Sequence, residues 1–411
     1  MTRKKNLVLE RARSYVTKIE GHGSLEADFK KGSVKLHAHE GERLFEGILV
    51  GRTLEEMQWI TPRICGVCPI AHNLASLKAA ENALGIKVSK TTRRLRRLMQ
   101  VAQNVQSHVL HAVFLALPDY IGIDRITELY AVDPETFTLA ISLKDTGDEI
   151  ARVIAGRSVH PTRSTVGGFH RLPAADELKG LRRIIKKSIP GAKKLAGFFS
   201  TLEYPGLSVD LEHLAQVGSE VVSSKGRSFG VTEYKEFITE EVRSYSTAKF
   251  GSLKGGPVMV GALARLYFRA SEEGATDPLL KKIDFNNPFY NNPAQAIEVY
   301  LELEDGVRII DELLSDGMDS SVAAPATNPP LKGIGAVEAP RGGLYNEVHI
   351  KKDGQIKYAN IVTPTVQNLT TMEYTAEALL KARRGEPRKD LCRLLEMLVR
   401  AFDPCITCST H

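Results

Sequence analysis

Asp403-Pro404-Cys405-Ile406-Thr407-Cys408-Ser409-Thr410-His411 closes the chain, and Cys65-Gly66-Val67-Cys68, followed by His72, stands near its start. A chain end is usually polar, frayed and dispensable. This one carries two cysteines at C-x2-C spacing, a carboxylate before them and an imidazole three residues after. Together the two clips use four of the five cysteines. Well over three hundred residues lie between them, so a fold that joins the clips makes the intervening chain one cooperative unit. A single domain over 1–411 is therefore expected, although the length alone allows two or three. Residues 203–256, where short strand-like runs alternate with glycines, read as a possible peripheral insertion.

Composition narrows the class. The 411 residues are 43% hydrophobic and 25% charged, ordinary for a soluble globular protein. No run of about 18 apolar residues occurs, so no membrane-spanning helix is expected. The opening Met1-Thr2-Arg3-Lys4-Lys5-Asn6-Leu7 lacks the apolar stretch of a secretion signal. A cytoplasmic location is the expectation, although a chain can cross a membrane on a partner's signal. The net charge of +6 is concentrated in clusters such as Arg93, Arg94, Arg96, Arg97 and Arg182, Arg183, Lys186, Lys187. No nucleic-acid reader motif accompanies them, so they read as solvated helix faces or a docking surface, with no nucleic-acid partner. Cysteines in C-x2-C pairs without an export signal mean metal or redox chemistry rather than a disulfide framework.

Residues 7–40 read as strands. Leu7-Val8-Leu9 is short and apolar, and 23–29 and 33–39 alternate around Lys30-Lys31-Gly32 as a hairpin. Thr17-Lys18-Ile19-Glu20-Gly21-His22-Gly23, taken alone, is a surface turn. Helical patterns then dominate. Residues 53–60 begin at a Thr53 cap with Glu56 at capping-box spacing. Residues 69–84 run to a stop at Gly85, and 89–117 form a long helix expected to end at Pro118. Further helices are expected at 133–155, 174–202 (kinked or split at Pro190), 260–268, 294–314, 367–383 and 389–402. A hairpin of 345–351 and 357–362 turns at Asp353-Gly354. The fold class is α+β, predominantly helical, with a small N-terminal sheet.

Four soft sulfur donors select zinc, copper(I), nickel or iron. Structural zinc is the common fate of two C-x2-C clips, but those clips lie about 15–20 residues apart. A four-cysteine iron–sulfur cluster and a cysteine-bridged redox metal are the alternatives, and spacing alone leaves all three open. The surroundings favour a redox metal. His72, one turn into the helix after Cys68, is placed to hydrogen-bond that sulfur, and Asp403 precedes Cys405. A structural zinc site calls for no proton carriers.

Pro62-Arg63-Ile64-Cys65-Gly66-Val67-Cys68-Pro69-Ile70-Ala71-His72 and the last nine residues resemble the paired signatures of nickel–iron hydrogenase large subunits. The resemblance runs nearly end to end, through Ile19-Glu20-Gly21-His22, Arg43-Leu44-Phe45-Glu46, 156–161, 338–344 and Ile361-Val362-Thr363-Pro364-Thr365. Its character is that of the cytosolic, bidirectional, sulfhydrogenase-like branch. It implies the hydrogenase large-subunit fold, with a central bundle of long helices and the metals buried between the two chain ends.

The resemblance also implies roles. Cys65 and Cys405 are terminal nickel ligands, and Cys68 and Cys408 bridge nickel to an iron that carries cyanide and carbon monoxide. Cyanide needs buried donors, which Arg341 and Thr365 supply. Carbon monoxide needs an apolar wall, for which Ala339, Pro340 and Leu344 are placed, and Pro364 and His72 are further cofactor-binding residues. Heterolytic cleavage of dihydrogen needs a base: Cys405 is the best candidate, Arg341 the second, although its high pKa makes it a poor one. Glu20 is the next proton carrier and His22 a structural residue. Magnesium or a similar ion near the C-terminus is bound by Glu46, the carbonyl of Ile361 and His411. Val67 narrows the gas path to nickel. One departure stands at Lys18, where the family's first motif opens with arginine, so bidentate pairing is lost there.

After the four ligands only Cys392 remains, which cannot build an iron–sulfur relay, so no iron–sulfur cluster is expected in this chain. An iron–sulfur small subunit is therefore the expected partner. No G-x-G-x-x-G loop is present, so NAD(P) is expected on further diaphorase-type flavin subunits rather than here. A deazaflavin-linked enzyme is the alternative acceptor system. A quinone-binding relative that has lost the metal, and a zinc-stapled scaffold protein, are the non-hydrogenase alternatives. In the family nickel-insertion factors load the metal and a maturation endopeptidase then removes a tail beyond the final histidine. A chain ending on His411 matches the matured form, or a gene without the tail.

Overall fold

A computed structural model describes residues 11–272 and 277–410 of the chain. The strand expected at Leu7-Val8-Leu9 and the terminal His411 lie outside the described residues. Arg11–Val16, Gly23–Asp28 and Ser33–Ala38 form an antiparallel three-stranded sheet in sequence order. The hairpin expected after residue 23 is therefore present, and Arg11–Val16 is an added strand. The outer edge of Ser33–Ala38 is covered by the helix Pro364–Ala382. Glu377 accepts from the Val34 N–H at 3.2 Å, and Glu373, one helical turn earlier, accepts from the Leu36 N–H at 2.8 Å. These bonds satisfy amides that a bare sheet edge would leave open.

The long helices Lys90–Val109, Pro134–Ala155, Ala175–Phe199 and Asn291–Asp316 pack against one another as the central bundle. Their facing positions are small or branched residues such as Leu98, Val101, Ala102, Ile150, Ala192, Leu303 and Ile310, all buried. Much of the basic clustering is answered across the bundle. Arg94 pairs with Glu312 and Asp316, Arg97 with Glu302 and Asp305, Arg182 with Asp311, and Lys193 with Glu304. Those charges are interhelical pairs rather than part of a free basic stripe.

Two prolines act differently from expectation. The helix that begins at Lys90 does not stop at Pro118. It widens into a π-helical turn, Leu110–Ala116, and continues as Leu117–Ile121. Pro118 sits in a first turn, where a missing N–H costs nothing, and Gly122 (φ 73°) ends the run. Ala175–Phe199 passes through Pro190 without a break. Pro190 lies on the exposed face, so the Lys186 carbonyl that it cannot bond is left to water.

The C-terminal sheet holds three antiparallel strands, Lys332–Ala339, Gly342–Ile350 and Ile356–Val362. The latter two are the expected hairpin. The first has no strand signature in sequence because glycine occupies Gly333 and Gly335. The structure shows why: this strand lies directly on the helix Pro69–Leu84. A Cβ at Gly333 would stand 2.0 Å from the Ala79 carbonyl oxygen, and one at Gly335 2.3 Å from that of Ala75. Lys78 and Asn82 on that helix donate to the carbonyls of Ala336 and Ile334, at 2.8 and 2.6 Å. The strand thereby carries Ala339-Pro340-Arg341 to the end of the helix where Cys68 stands. The segment 203–256 builds small sheets and shares an apolar cluster with the C-terminal sheet, in which Tyr234 stacks on Tyr345 at 5.0 Å.

Candidate metal centre

Each clip is shaped by local chain chemistry. Thr53 and Glu56 form the capping box that starts Leu54–Ile60, and a tight turn, Thr61–Ile64, then delivers Cys65. Cys68 caps Pro69–Leu84, with Pro69 in the first helical position. Cys405 precedes the single turn Ile406–Ser409, so Cys408 comes round to the same side. Arg43 ties the two ends together: its guanidinium donates to the Ile64 carbonyl at 2.7 Å and also to that of Thr407, and its N–H donates to the Thr410 carbonyl at 2.9 Å.

The four sulfurs lie within 4.8 Å of one another, and all four residues are buried. Cys65 meets Cys405 at 3.3 Å, Cys68 meets Cys408 at 3.4 Å, and Cys405 meets Cys408 at 2.8 Å. First pairs with first and second with second. Burial pushes the Cys405 and Cys408 thiols well above their ordinary range, whereas hydrogen bonds from Cys405 and Cys408 hold Cys65 well below it. Four sulfurs this close in an apolar core cannot all carry charge unless a cation joins them. The donor set is soft, four-fold and closed, which fits thiolate-bound nickel and iron.

A second layer surrounds it. The Glu20 carboxylate stands 2.9 Å from the Cys405 sulfur and accepts from the Thr407 N–H at 3.2 Å. Burial raises the Glu20 pKa, and the Cys65 thiolate adds to the rise. The His72 Nε2 lies 3.5 Å from the sulfur of Cys408, on the opposite clip. The Thr365 hydroxyl accepts from the Cys405 N–H at 2.9 Å, which leaves its own hydrogen to donate.

Cys68, Cys405 and Cys408 share a small cavity with His72, Ala339, Pro340, Arg341, Leu344, Pro364 and Thr365. All the residues expected to surround the iron's small ligands are thus at one place. Arg341 donates from Nε to the Asp403 carbonyl at 2.6 Å and from Nη2 to its carboxylate at 2.8 Å, while its buried Nη1 has no partner among the described residues. An orphaned cationic donor beside the sulfurs is the feature a strong acceptor on the metal would satisfy. Burial works against the Arg341 charge, but Asp403 and the cysteines more than offset it and hold its pKa well above the ordinary value. That weighs against Arg341 as a base and for Arg341 as a donor.

Sequence spacing did not reveal what holds Arg341. Gln295 donates to Asp403 at 2.9 Å, and His111, in the π-helical turn, meets Gln295 at 2.5 Å and the Arg400 carbonyl at 2.7 Å. Arg265 uses all five of its donors: Glu298 takes two, at 2.7 and 2.6 Å, Glu338 one at 3.0 Å, and the carbonyls of Ala339 and Pro340 one each at 2.9 Å. Burial would raise Glu298, but Arg265 and His108 pull it down to about 2. Such a depressed carboxylate stabilises the fold above its unfolded pKa of about 4.3 and loses that contribution as pH falls through the folded value. Arg265→Met is expected to cost about 3–5 kcal/mol at pH 7 by removing the guanidinium shared by two buried carboxylates, Glu298 and Glu338. Urea unfolding should show the gap from wild type narrowing between about pH 4.3 and 2. A gap that did not change with pH would exclude this account.

The expected ion site is only partly formed by described residues. Glu46 accepts from the Ile361 N–H at 2.7 Å and from Asn360 at 3.0 Å, so Glu46 and Ile361 are neighbours. The Lys249 ammonium lies 3.0 Å from the same carboxylate, and the third expected ligand, His411, lies outside the described residues. At the departed position, Lys18 makes a single contact with Asp119 at 2.9 Å, and Arg400 supplies the two-pronged pairing to that carboxylate.

Comparison with known proteins agrees with this architecture. The family model described as nickel-dependent hydrogenase matches residues 43–149 and 223–411. The alpha subunit of sulfhydrogenase 1 from Pyrococcus furiosus is 33% identical, covering 99% of both chains. The beta subunit of an NAD-reducing hydrogenase from Cupriavidus necator is 28% identical over 96% of this chain and 93% of the relative. A crystal structure of an NAD+-reducing NiFe hydrogenase in its dihydrogen-reduced state superposes with a TM-score of 0.85 at 26% identity, covering 98% of this chain and 99% of the other. The chain belongs to the nickel-dependent hydrogenase family. Within it, the chain is a nickel–iron hydrogenase large subunit, an oxidoreductase acting on dihydrogen, and the four-cysteine cluster is its metal-binding group.

Proposed function

We propose that this subunit cleaves dihydrogen heterolytically and reversibly, with Cys405 receiving the proton and Glu20 carrying it away. The 2.9 Å contact between the Cys405 sulfur and the Glu20 carboxylate is the observation that carries this reading. When bound, the nickel–iron centre supplies the Lewis-acidic position at which the H–H bond is polarised and its electron pair taken up. Cys65, Cys68, Cys405 and Cys408 would together hold the nickel and the iron. Arg341, through Nη1, and Thr365, through its hydroxyl, donate to the iron's two cyanides. Ala339, Pro340, Leu344 and Pro364 wall off its carbon monoxide, and His72 tunes the Cys408 sulfur. Glu46, Ile361 and His411 hold magnesium or a similar ion.

Electrons leave through another chain, because Cys392 is the single cysteine left after the four ligands. The partner we propose is an iron–sulfur small subunit. Leu44, Ile48 and Val50 are strongly exposed on and beside the short helix Phe45–Leu49, next to Arg43, which ties the clips together. An exposed apolar surface there suits a docked subunit. NAD(P), through diaphorase-type flavin subunits, is the acceptor that the NAD-reducing relatives favour, and a cytoplasmic location goes with it. Among the described residues no helix is long and apolar enough to cross a membrane. Maturation would use nickel-insertion factors and an endopeptidase. Elemental analysis of the purified complex tests the core of the reading. Nickel, with iron beyond what iron–sulfur clusters require and infrared bands of bound cyanide and carbon monoxide, is the expected result. Zinc as the only metal would end it.

A further inference from the structure

A second cavity, of about 410 Å³, shares no lining residue with the one at the cysteines. The helix Pro69–Leu84 turns Lys78 and Glu81 to it, one helical turn apart, and Lys90–Val109 turns Arg93, Arg96 and Arg97. The strand Lys332–Ala339 adds residues 334–337, and Gln216 and Val231 come from the segment 203–256. Four cations therefore face a space whose remaining walls are largely aliphatic, among them Ile86, Val88, Ile334 and Val337.

The charges in it do not balance. Glu81 is already engaged: its two oxygens take the Arg96 guanidinium at 2.7 and 2.5 Å, and one also takes the Gly167 N–H at 2.8 Å. Arg97 is answered by Glu302 and Asp305. Neither Lys78 nor Arg93 pairs with a carboxylate among the described residues. Lys78 gives one of its three N–H groups to the Ala336 carbonyl at 2.8 Å, and Arg93 gives one to the Val88 carbonyl at 2.7 Å. The Lys78 side chain is open to the cavity, yet packing strips water from its amine and, with the Arg96 charge second, brings its pKa down to about 8. A solvated surface lysine has full hydration; this one lacks both that and a counter-ion. Gln216 leaves a complementary gap. Its N–H donates to Glu338 at 2.6 Å and its Nε2 to the Gly218 carbonyl at 2.8 Å, while its buried Oε1 has no partner among the described residues.

We propose that this cavity binds a small-molecule carboxylate with an aliphatic body. The carboxylate accepts from the Lys78 ammonium and the Arg93 guanidinium, the two lining cations without one, and such charge-assisted bonds are the strong kind. Ile86, Val88, Ile334 and Val337 cover the body. A hydroxyl or amide N–H on the ligand satisfies the Gln216 Oε1. The volume lies within the range of about 300–1,000 Å³ for small-molecule sites, and apolar walls with a few convergent polar groups are their usual composition. Inorganic phosphate supplies the charge but leaves the aliphatic walls wet, and an alcohol of equal length covers the walls but leaves the cations unanswered. The site stands apart from the proton route proposed above and does not depend on it.

Acetylation of lysines with acetic anhydride, read by peptide mass spectrometry, reports on Lys78 itself in the assembled holoenzyme. Octanoate is expected to protect Lys78 in a saturable way and to leave the other lysines labelled as before. Octan-1-ol and inorganic phosphate at the same concentrations should give no protection. Arg93→Gln, at an exposed helix position, should raise the octanoate concentration for half protection about tenfold, the contribution of one charge-assisted bond. Arg93→Lys, which keeps the charge, should fall between that variant and wild type. Lys78 labelled at the same rate with and without octanoate would overturn the proposal. Equal protection by octan-1-ol would reduce the site to an apolar void, and equal protection by phosphate to a bare cation pair; either result overturns it too. So would half protection in Arg93→Gln at the wild-type concentration.

Discussion

Replacing Cys405 with serine should yield a chain that folds but holds no nickel. Cys405 touches Cys65, Cys408 and Glu20 at once. A hydroxyl in its place is a hard donor that stays protonated near neutral pH, so the four-fold soft set loses a member and its geometry. Metal held by thiolates contributes about 10–16 kcal/mol in small structural sites, and loss of even a fraction of that empties a site. Burying a hydroxyl in place of the thiol costs only about 1–3 kcal/mol, which a domain of this size tolerates. Elemental analysis should find nickel near background, and dihydrogen uptake should vanish. The control is Cys392→Ser, on a half-buried helix position away from the cluster, which should keep both. Nickel retained in Cys405→Ser, or lost in Cys392→Ser, would refute the ligand assignment.

Glu20→Gln is expected to give the opposite signature: a loaded centre that turns over slowly. Glutamine keeps the shape and an acceptor for the Thr407 N–H, but it takes up no proton from a sulfur 2.9 Å away. The loss should fall within the range of about 10²–10⁴ that a positioned acid–base group contributes. Metal content and the infrared bands should match wild type, because the carboxylate touches sulfur rather than metal. Turnover within a factor of about two of wild type would leave Glu20 without a role in proton transfer.

These two results bear on groups that were visible in sequence for different reasons. The C-x2-C spacing is a local covalent fact, and soft-ligand chemistry follows from residue type. Glu20 alone reads as part of a surface turn; its link to Cys405 spans 385 positions, and only the resemblance pointed to it. The elements that sequence patterning missed share one cause. The strand Lys332–Ala339 has its glycines because a helix lies against it, not because of any strand propensity. Pro190 does not break its helix because that side faces water. Arg265 and the path from His111 through Gln295 to Asp403 act through contacts between distant segments, for which no spacing rule exists.

By itself the sequence determined the donor atoms, the closure of the chain on them, the helical character and the family resemblance, since all of these rest on residue type and short-range spacing. Only the tertiary structure decided which sulfur meets which and that His72 serves the opposite clip. It also decided that Arg341 is pinned to Asp403, with one donor left over among the described residues. Those are distances across hundreds of residues, set by how the bundle and the two sheets pack, and packing is a property of the whole chain.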